Sequence, residues 1–495
     1  MNNFTYCFLI FFFAKSTAQT ISFTDVNFKN KLIQLNVDIN DDGQIQFYEA
    51  LAVTTLNLSG SENITSINEI RFFPNLTYLN CTNTRVTSLH LANMPVLETL
   101  ICSGSYMTSL TFENLPSLAT IDCHLNNIAS LSTAGLTALK SLECFYNGMH
   151  TLDVSQSPIL ETLYCEGNQL EILDLANSDQ LRFLHCINNR INTLNLSGMT
   201  RLERLNVESN QLTDLNLDGL VSLQQLFCAG NQLTTLNLSN LSVLVYLDCS
   251  SNRLSELNFP STNNLRDINC SYNLISNLDN LSGLNNQLSL NCSQNLLTSL
   301  DASNMPNLWA LHCSFNDISL LNFDRDSNIR IISADNNRLT NLDVSMLSNL
   351  QFLDLSNNLL QTLNVKNGSF ENLDLRNNLQ MRSICADENQ LFLLNELIIS
   401  WEIPNTSITS DCNTLNMQNL DVAVSLYPNP VDGNLFFDIS GWEKLNRIEV
   451  YDAVGNIVLS TTFYNPVNLS CLKTGIYFLR LSSNDKTFTQ KIIKK

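Results

Sequence analysis

The sequence predicts a solenoid of stacked parallel β-strands followed by a small all-β sandwich, and three observations carry the prediction. Cysteine recurs every 21 residues, at Cys81, Cys102, Cys123, Cys144, Cys165 and Cys186, again at Cys228, Cys249 and Cys270, and after a one-residue insertion at Cys292 and Cys313. Thirteen asparagines keep the same beat: Asn126, Asn147, Asn168, Asn189, Asn210, Asn231, Asn252, Asn273, Asn295, Asn316, Asn337, Asn358 and Asn378. Beyond about residue 416 both periods stop, and short apolar runs separated by turn residues replace them. A fixed period of this length marks a unit that buries its apolar face only by stacking on its neighbours.

Each repeat has the frame Leu160-x-x-Leu163-x-Cys165-x-x-Asn168-x-Leu170-x-x-Leu173. Alternation along an extended strand turns Leu163 and Cys165 inward and Tyr164 outward. The asparagine falls where the chain leaves the strand, and its amide can both donate and accept to pair the buried turn. The frame resembles the leucine-rich repeat over residues 53–390, which implies a parallel β-sheet horseshoe with a short, irregular convex side. Thr84 and Ser105 replace the asparagine in the earliest rungs. Val207, Ala334, Leu355 and Leu375 share the cysteine column, so that position asks for modest apolar bulk, and the eleven ladder thiols read as core.

Ahead of the repeats, residues 1–18 read as a signal peptide: Phe8–Ala14 is an apolar run too short to span a bilayer, and Ser16-Thr17-Ala18 is a small-residue cleavage site. Residues 19–52 form an N-terminal cap with a loop, Asp38 to Glu49, that fits D-x-[DN]-x-[DN]-G-x5-E. Asp38, Asn40, Asp42, the Gln44 carbonyl and a bidentate Glu49 would supply oxygens to a structural calcium ion, with Gly43 permitting the sharp turn. The loop resembles the single EF-hand-type loop that precedes bacterial leucine-rich repeats. The other reading of the same residues is an acidic capping turn without metal.

Residues 391–418 read as a C-terminal cap and linker; Cys385, just ahead of it, and Cys412, within it, leave the ladder frame and are expected to form a disulfide in an exported chain. Residues 419–495 carry Tyr427-Pro-Asn-Pro430, Gly455, Gly475-Ile-Tyr477 and Lys491-Ile-Ile-Lys494 in that order. This set closely resembles the C-terminal type A sorting domain of type IX secretion. The resemblance implies recognition by that export machinery, passage through the periplasm, and a product released or attached at the outer-membrane surface.

Lys plus Arg number 26 against 46 acidic residues, so nucleic acid and anionic membranes are poor partners. The tail from 419 on holds 7 acidic and 8 basic side chains, a net of +1, which leaves −21 of the total −20 on the remainder. No stretch reaches 18 apolar residues, so no transmembrane span is expected. Function must then lie in what varies on the repeat surface. Glu143, Phe145, Tyr164, Glu166, Phe183, His185, Phe227, Tyr246 and Asp248 flank inward positions and mix aromatics with acids on the concave face. That make-up suits a protein, peptide or glycan ligand. A structural component without a ligand is the alternative. A hydrolase using Asp122, His124 and Glu143, which lie on adjacent rungs, is weaker, because an open sheet gives carboxylates little burial to separate their pKa values. The five histidines are expected to be solvated surface residues, and no catalytic residue is assigned.

Overall fold

The computed structural model describes residues 19–495 except 260–263, 279–280, 282–287, 304, 306, 324–327, 370, 404, 413–423, 428, 440–446, 453–455, 462–465 and 483–486. The expected signal peptide and Cys7 lie outside the described residues. The chain divides into two compact units, Met1–Ser410 and Asp411–Lys495.

The first unit is built on one 16-stranded parallel sheet, running from Thr55–Asn57 to Asn372–Asp374. Its strands are short because the repeat supplies one alternating triplet per rung, and the middle residue of each triplet faces the core. Leu142, Leu163, Leu184, Leu205 and Leu226 are fully buried, and the ladder cysteines beside them are buried free thiols. Register is in phase, as in Glu143 opposite Tyr164 and Tyr164 opposite His185, except at Leu288 and Ser289, which face Leu308 and Ala310 and bypass Trp309.

The asparagine ladder pairs the turn as its chemistry requires. Asn168 Nδ2 donates to the carbonyls of Cys165 (3.0 Å) and Cys144 (3.1 Å), while its Oδ1 accepts the Met149 amide (3.2 Å). One amide therefore satisfies groups on two successive rungs, and the pattern repeats at Asn231 and Asn316. Where hydroxyls replace it, Thr84 Oγ1 and Ser105 Oγ both donate to the Cys81 carbonyl (2.8 and 3.0 Å). The residue before each asparagine sits in the left-handed region, including Leu125, Tyr146, Tyr272 and Phe315. At Gly167 that conformation and space coincide: an added Cβ would run into the Tyr146 ring.

The side opposite the long sheet is more ordered than the expected irregular return. Ser88–Ala92 pairs with Ser109–Glu113, Thr151–Asp153 with Ile172–Asp174, and Ser299–Ala302 with Leu320–Phe323. Asn341–Asp343, Thr362–Asn364, Ser383–Cys385 and Ser407–Thr409 form a four-stranded sheet that ends the unit. Short Leu-x-Leu stretches in these repeats place alternate residues inward over one to two rungs, which is enough for local pairing.

Both ends are capped. Helix α1 (Val26–Gln34) starts at Asp25, whose carboxylate accepts Asn27 N (2.8 Å) and also Thr65 N (2.7 Å) and Thr65 Oγ1 (2.9 Å), tying the cap to the first turns of the solenoid. Burial raises the Asp25 pKa, but the hydrogen bonds from Thr65, Asn27 and Ser66 outweigh it and leave it below the usual carboxylate range. Helix α2 (Phe47–Ala52) follows the acidic loop. At the other end α3 (Leu391–Ser400) lies in the segment expected to be the C-terminal cap and buries Leu394 and Ile398. Apolar residues all round Leu391-Phe-Leu-Leu394 hide the helical stripe, and Phe392 and Ile399 remain exposed. Cys385 and Cys412 are both disulfide-bonded.

The second unit holds two small antiparallel sheets around a core of Val431, Leu435, Ile448, Val450, Val467, Leu469, Leu479, Leu481 and Ile492. Its strands fall on the apolar runs identified in the sequence, with one addition, the two-residue strand Val467–Asn468. Asn429 of the first tail motif meets the Lys491–Lys494 segment in space, and Gly455 lies outside the described residues. Asn429 Nδ2 donates to the Lys491 carbonyl (3.1 Å) and its Oδ1 accepts the Ile493 amide (2.8 Å), while the nearly buried Lys494 ammonium donates to the Asp432 carbonyl (3.3 Å).

Candidate functional site

The in-phase register of the long sheet turns each repeat position into a row of side chains. One row runs Asp122, Glu143, Tyr164, His185, Asn206, Phe227, Asp248, each opposite the next. Two residues on in each repeat, a second row begins His124, Phe145, Glu166. Phe183 and Tyr246 open their strands on the other side of the first row. All nine residues expected to form a binding face therefore share one surface.

Those side chains pack on each other more than free anchors would. The Tyr164 ring lies on the His185 ring (4.5 Å between centroids, 26°), and Phe145 lies on His124 (4.2 Å, 10°). Arg182 covers Phe183 (5.2 Å) and pairs with Glu203 (2.8 Å), while Arg204 covers Phe227 (5.2 Å). Most of the aromatics are half-buried, and Tyr246 is the exposed one, at 41 %. The flat rings pair across strands because in-register neighbours stand about 4.8 Å apart.

This crowding moves protonation equilibria. Burial, then the neighbouring Asp122 carboxylate, pushes the Glu143 pKa up, and burial with nearby Glu143 does the same at Glu166. Burial and the Arg204 guanidinium hold His185 down to about 4. The expectation that all five histidines are solvated is thus corrected. His90 and His150 are exposed, but His124, His185 and His312 are half-buried, with His124 Nδ1 2.5 Å from Asp122 Oδ1 and His312 Nδ1 bonded to Ser333 Oγ (3.0 Å).

The acidic loop of the cap is shaped as its motif requires. Asp38 Oδ2 accepts the Gly43 amide (2.8 Å), Asp42 Oδ1 accepts the Gln44 amide (2.8 Å), and Glu49 accepts the Ile39 and Gln46 amides (2.9 and 2.7 Å). Ile45 carbonyl accepts the Ile21 amide (2.8 Å), so the N-terminal segment lies along the loop. Glu49 is fully buried and Asp38 nearly so, and among the described residues no lysine or arginine pairs with either. Two sealed carboxylates with no cationic side chain are a donor set that fits a hard divalent ion.

The ladder thiols offer no comparable chemistry. Burial raises the pKa of each ladder cysteine from Cys123 on, to about 12 at Cys186, Cys270 and Cys313, and at Cys102 the hydrogen bond with Cys81 raises it first and burial second. A thiol held protonated is neither nucleophile nor metal ligand.

Comparison with known proteins agrees with this architecture. Residues 425–495 match the secretion system C-terminal sorting domain, so the product is destined for secretion or attachment at the cell surface. Among solved structures the chain is similar to the functional domain of InlJ from Listeria monocytogenes, which includes a cysteine ladder, at 23% identity over 91% of this chain and 93% of that one, with a TM-score of 0.53. It is also similar to YopM, a leucine-rich effector protein from Yersinia pestis, at 22% identity over 71% of this chain and 88% of that one, with a TM-score of 0.49. No curated protein sequence matches the chain. Fold and tail together define an exported leucine-rich-repeat solenoid. No helix among the described residues is long and apolar enough to cross a membrane.

Proposed function

We propose that the protein is a non-catalytic recognition module, carried through the periplasm and out of the cell by its tail, that binds a protein, peptide or glycan across the Asp122–Asp248 face of its long sheet. The observation that carries this reading is the concentration of stacked rings, acids and imidazoles on one stretch of a scaffold whose rungs from 267 to 333 present Asn269, Asn291, His312 and Ser333 in the same row. Aromatic faces suit sugar rings and apolar side chains, and the acids suit basic residues at the rim. The test is to apply the purified full chain to arrays of cationic peptides and surface glycans. A ligand competed by a second ligand of its own class, and lost when face residues are changed, supports the proposal. Uniform background on both arrays would replace it with a structural role.

Calcium at Asp38, Asn40, Asp42, the Gln44 carbonyl and Glu49 would be structural, rigidifying the cap that Asp25 ties to the first turns. At a hundredfold excess over its dissociation constant, an ion that binds only the folded state adds about 2.7 kcal/mol of stability. Melting with calcium and with chelator, in wild type and Glu49→Gln, should show the gain in wild type alone. Four identical curves would make the loop an ordinary acidic turn.

A further inference from the structure

The long sheet holds a second cluster with donor chemistry unlike that of the cap. Asp122, His124 and Glu143 each present a ligand-capable atom, and these atoms all lie within 4.8 Å of one another. Two adjacent rungs build the cluster. Asp122 and Glu143 are directly opposite in register, and His124 stands two residues beyond Asp122 on the same face.

The imidazole is held in place. Its Nδ1 lies 2.5 Å from Asp122 Oδ1 and its ring stacks on Phe145, leaving the side chains of His124 and Asp122 only 24% and 20% exposed. Charge points the same way. Glu143 and Glu166 have no lysine or arginine partner among the described residues, and Glu166 Oε2 is sealed from water without a hydrogen bond. A half-buried set of carboxylates stays ionised at low cost only beside a positive charge.

We propose that Asp122, His124 and Glu143 bind one divalent first-row transition ion, with zinc the chemically expected occupant. One imidazole and two carboxylates form an N/O donor set that suits zinc, cobalt or manganese, whereas calcium takes oxygen ligands alone. Three protein ligands leave at least one coordination position open toward the exposed side of the sheet. The assignment stands independently of any macromolecular partner, because the ion itself is the ligand.

The test uses the full chain, stripped with chelator and then given saturating calcium so that the cap loop is occupied. Cobalt(II) is titrated in, the visible d–d absorption of the protein-bound ion is read, and zinc is added to displace it. One cobalt per chain with a zinc-sensitive band is expected. His124→Gln and the near-isosteric Glu143→Gln should each weaken binding by about tenfold or more, whereas His312→Gln, on the same sheet face, should leave it unchanged. Thermal melts of all variants separate lost ligation from lost folding, and Glu143→Gln keeps the test decisive if His124→Gln unfolds. Absence of a bound-ion band, or equal cobalt affinity in wild type and Glu143→Gln, would overturn the proposal.

Discussion

Two stretches of one sheet, rungs 120–248 and rungs 267–333, share a scaffold and differ in what they display. In both, a buried leucine or isoleucine centres each strand and an asparagine amide pairs the turn, as at Asn168 and Asn295. On the first stretch the face carries Glu143, Tyr164, His185 and Phe227, with rings stacked and pKa values displaced. On the second the same row carries Asn269, Asn291, His312 and Ser333, beside Ser271 and Ser293. Both stretches also carry exposed apolar groups at the turn edge, Leu125 and Tyr146 on the first and Tyr272, Leu274, Leu296 and Phe315 on the second. Stacking constrains the inward positions and leaves the outward ones free, so chemistry that gathers on one outward stretch is not a requirement of the fold.

The largest expected effect breaks that comparison if the face is only packing. Tyr164→Ala combined with Phe183→Ala and Phe227→Ala should weaken capture of the best array ligand by more than about a hundredfold, since aromatic anchors commonly carry about 2 kcal/mol or more each. These side chains flank the core rather than fill it, so the melting curve should keep its single transition. Ser271→Ala with Ser293→Ala, on the second stretch, should bind like wild type. A triple variant that unfolds, or that binds normally, would reduce the aromatics to cross-strand packing.

A smaller effect sharpens the comparison by showing that the scaffold is shared. Asn168→Ala and Asn295→Ala each remove the side-chain partner of three carbonyls and one amide, so each should cost about 1–3 kcal/mol in urea unfolding. The two losses should agree, because the same bonds are removed: Asn295 donates to the Cys292 and Cys270 carbonyls as Asn168 does to Cys165 and Cys144. A large loss in one stretch alone would mean that the two differ in scaffold as well as in display.

How much of this was legible before the structure follows from what each residue touches. The inward columns and asparagine ladder were readable because periodic contacts leave periodic residues. Asp122, His124 and Glu143 could be placed together from the same period. The pairing strands opposite the long sheet were not readable, since Leu-x-Leu at Leu89–Leu91 serves equally well for an irregular return. Helix α3 was hidden by its uniform apolarity. The burial of His185 was missed because it depends on Tyr164 one rung before and Arg204 one rung after, a cross-strand relation that no single repeat displays. The exposed edge at Tyr272 and Phe315 left a usable signal: a large residue immediately before the ladder asparagine, at a position that must take positive φ.

The smallest expected effect is titration of that hidden histidine. His185 has its folded pKa lowered to about 4 from 6.5, first by burial and then by Arg204. Between those values the unfolded chain binds a proton that the folded chain excludes, so stability must fall as pH drops through this window. Glu143 and Glu166 have the opposite sign: with folded pKa values raised, they bind protons more readily when folded, and their contribution weakens as pH rises. Because His185 is partly exposed, solvent screening reduces its share to on the order of 1 kcal/mol. His185→Gln removes the titrating ring, so stability measured from pH 6.5 down to 4 should decline less steeply in the variant than in wild type. His312, also lowered by burial but facing the carboxylate of Asp267, should matter less, because Asp267 pulls its pKa back up. Parallel wild-type and His185→Gln profiles would mean that the imidazole is hydrated in solution, and the first stretch of the face would then be as open as the second.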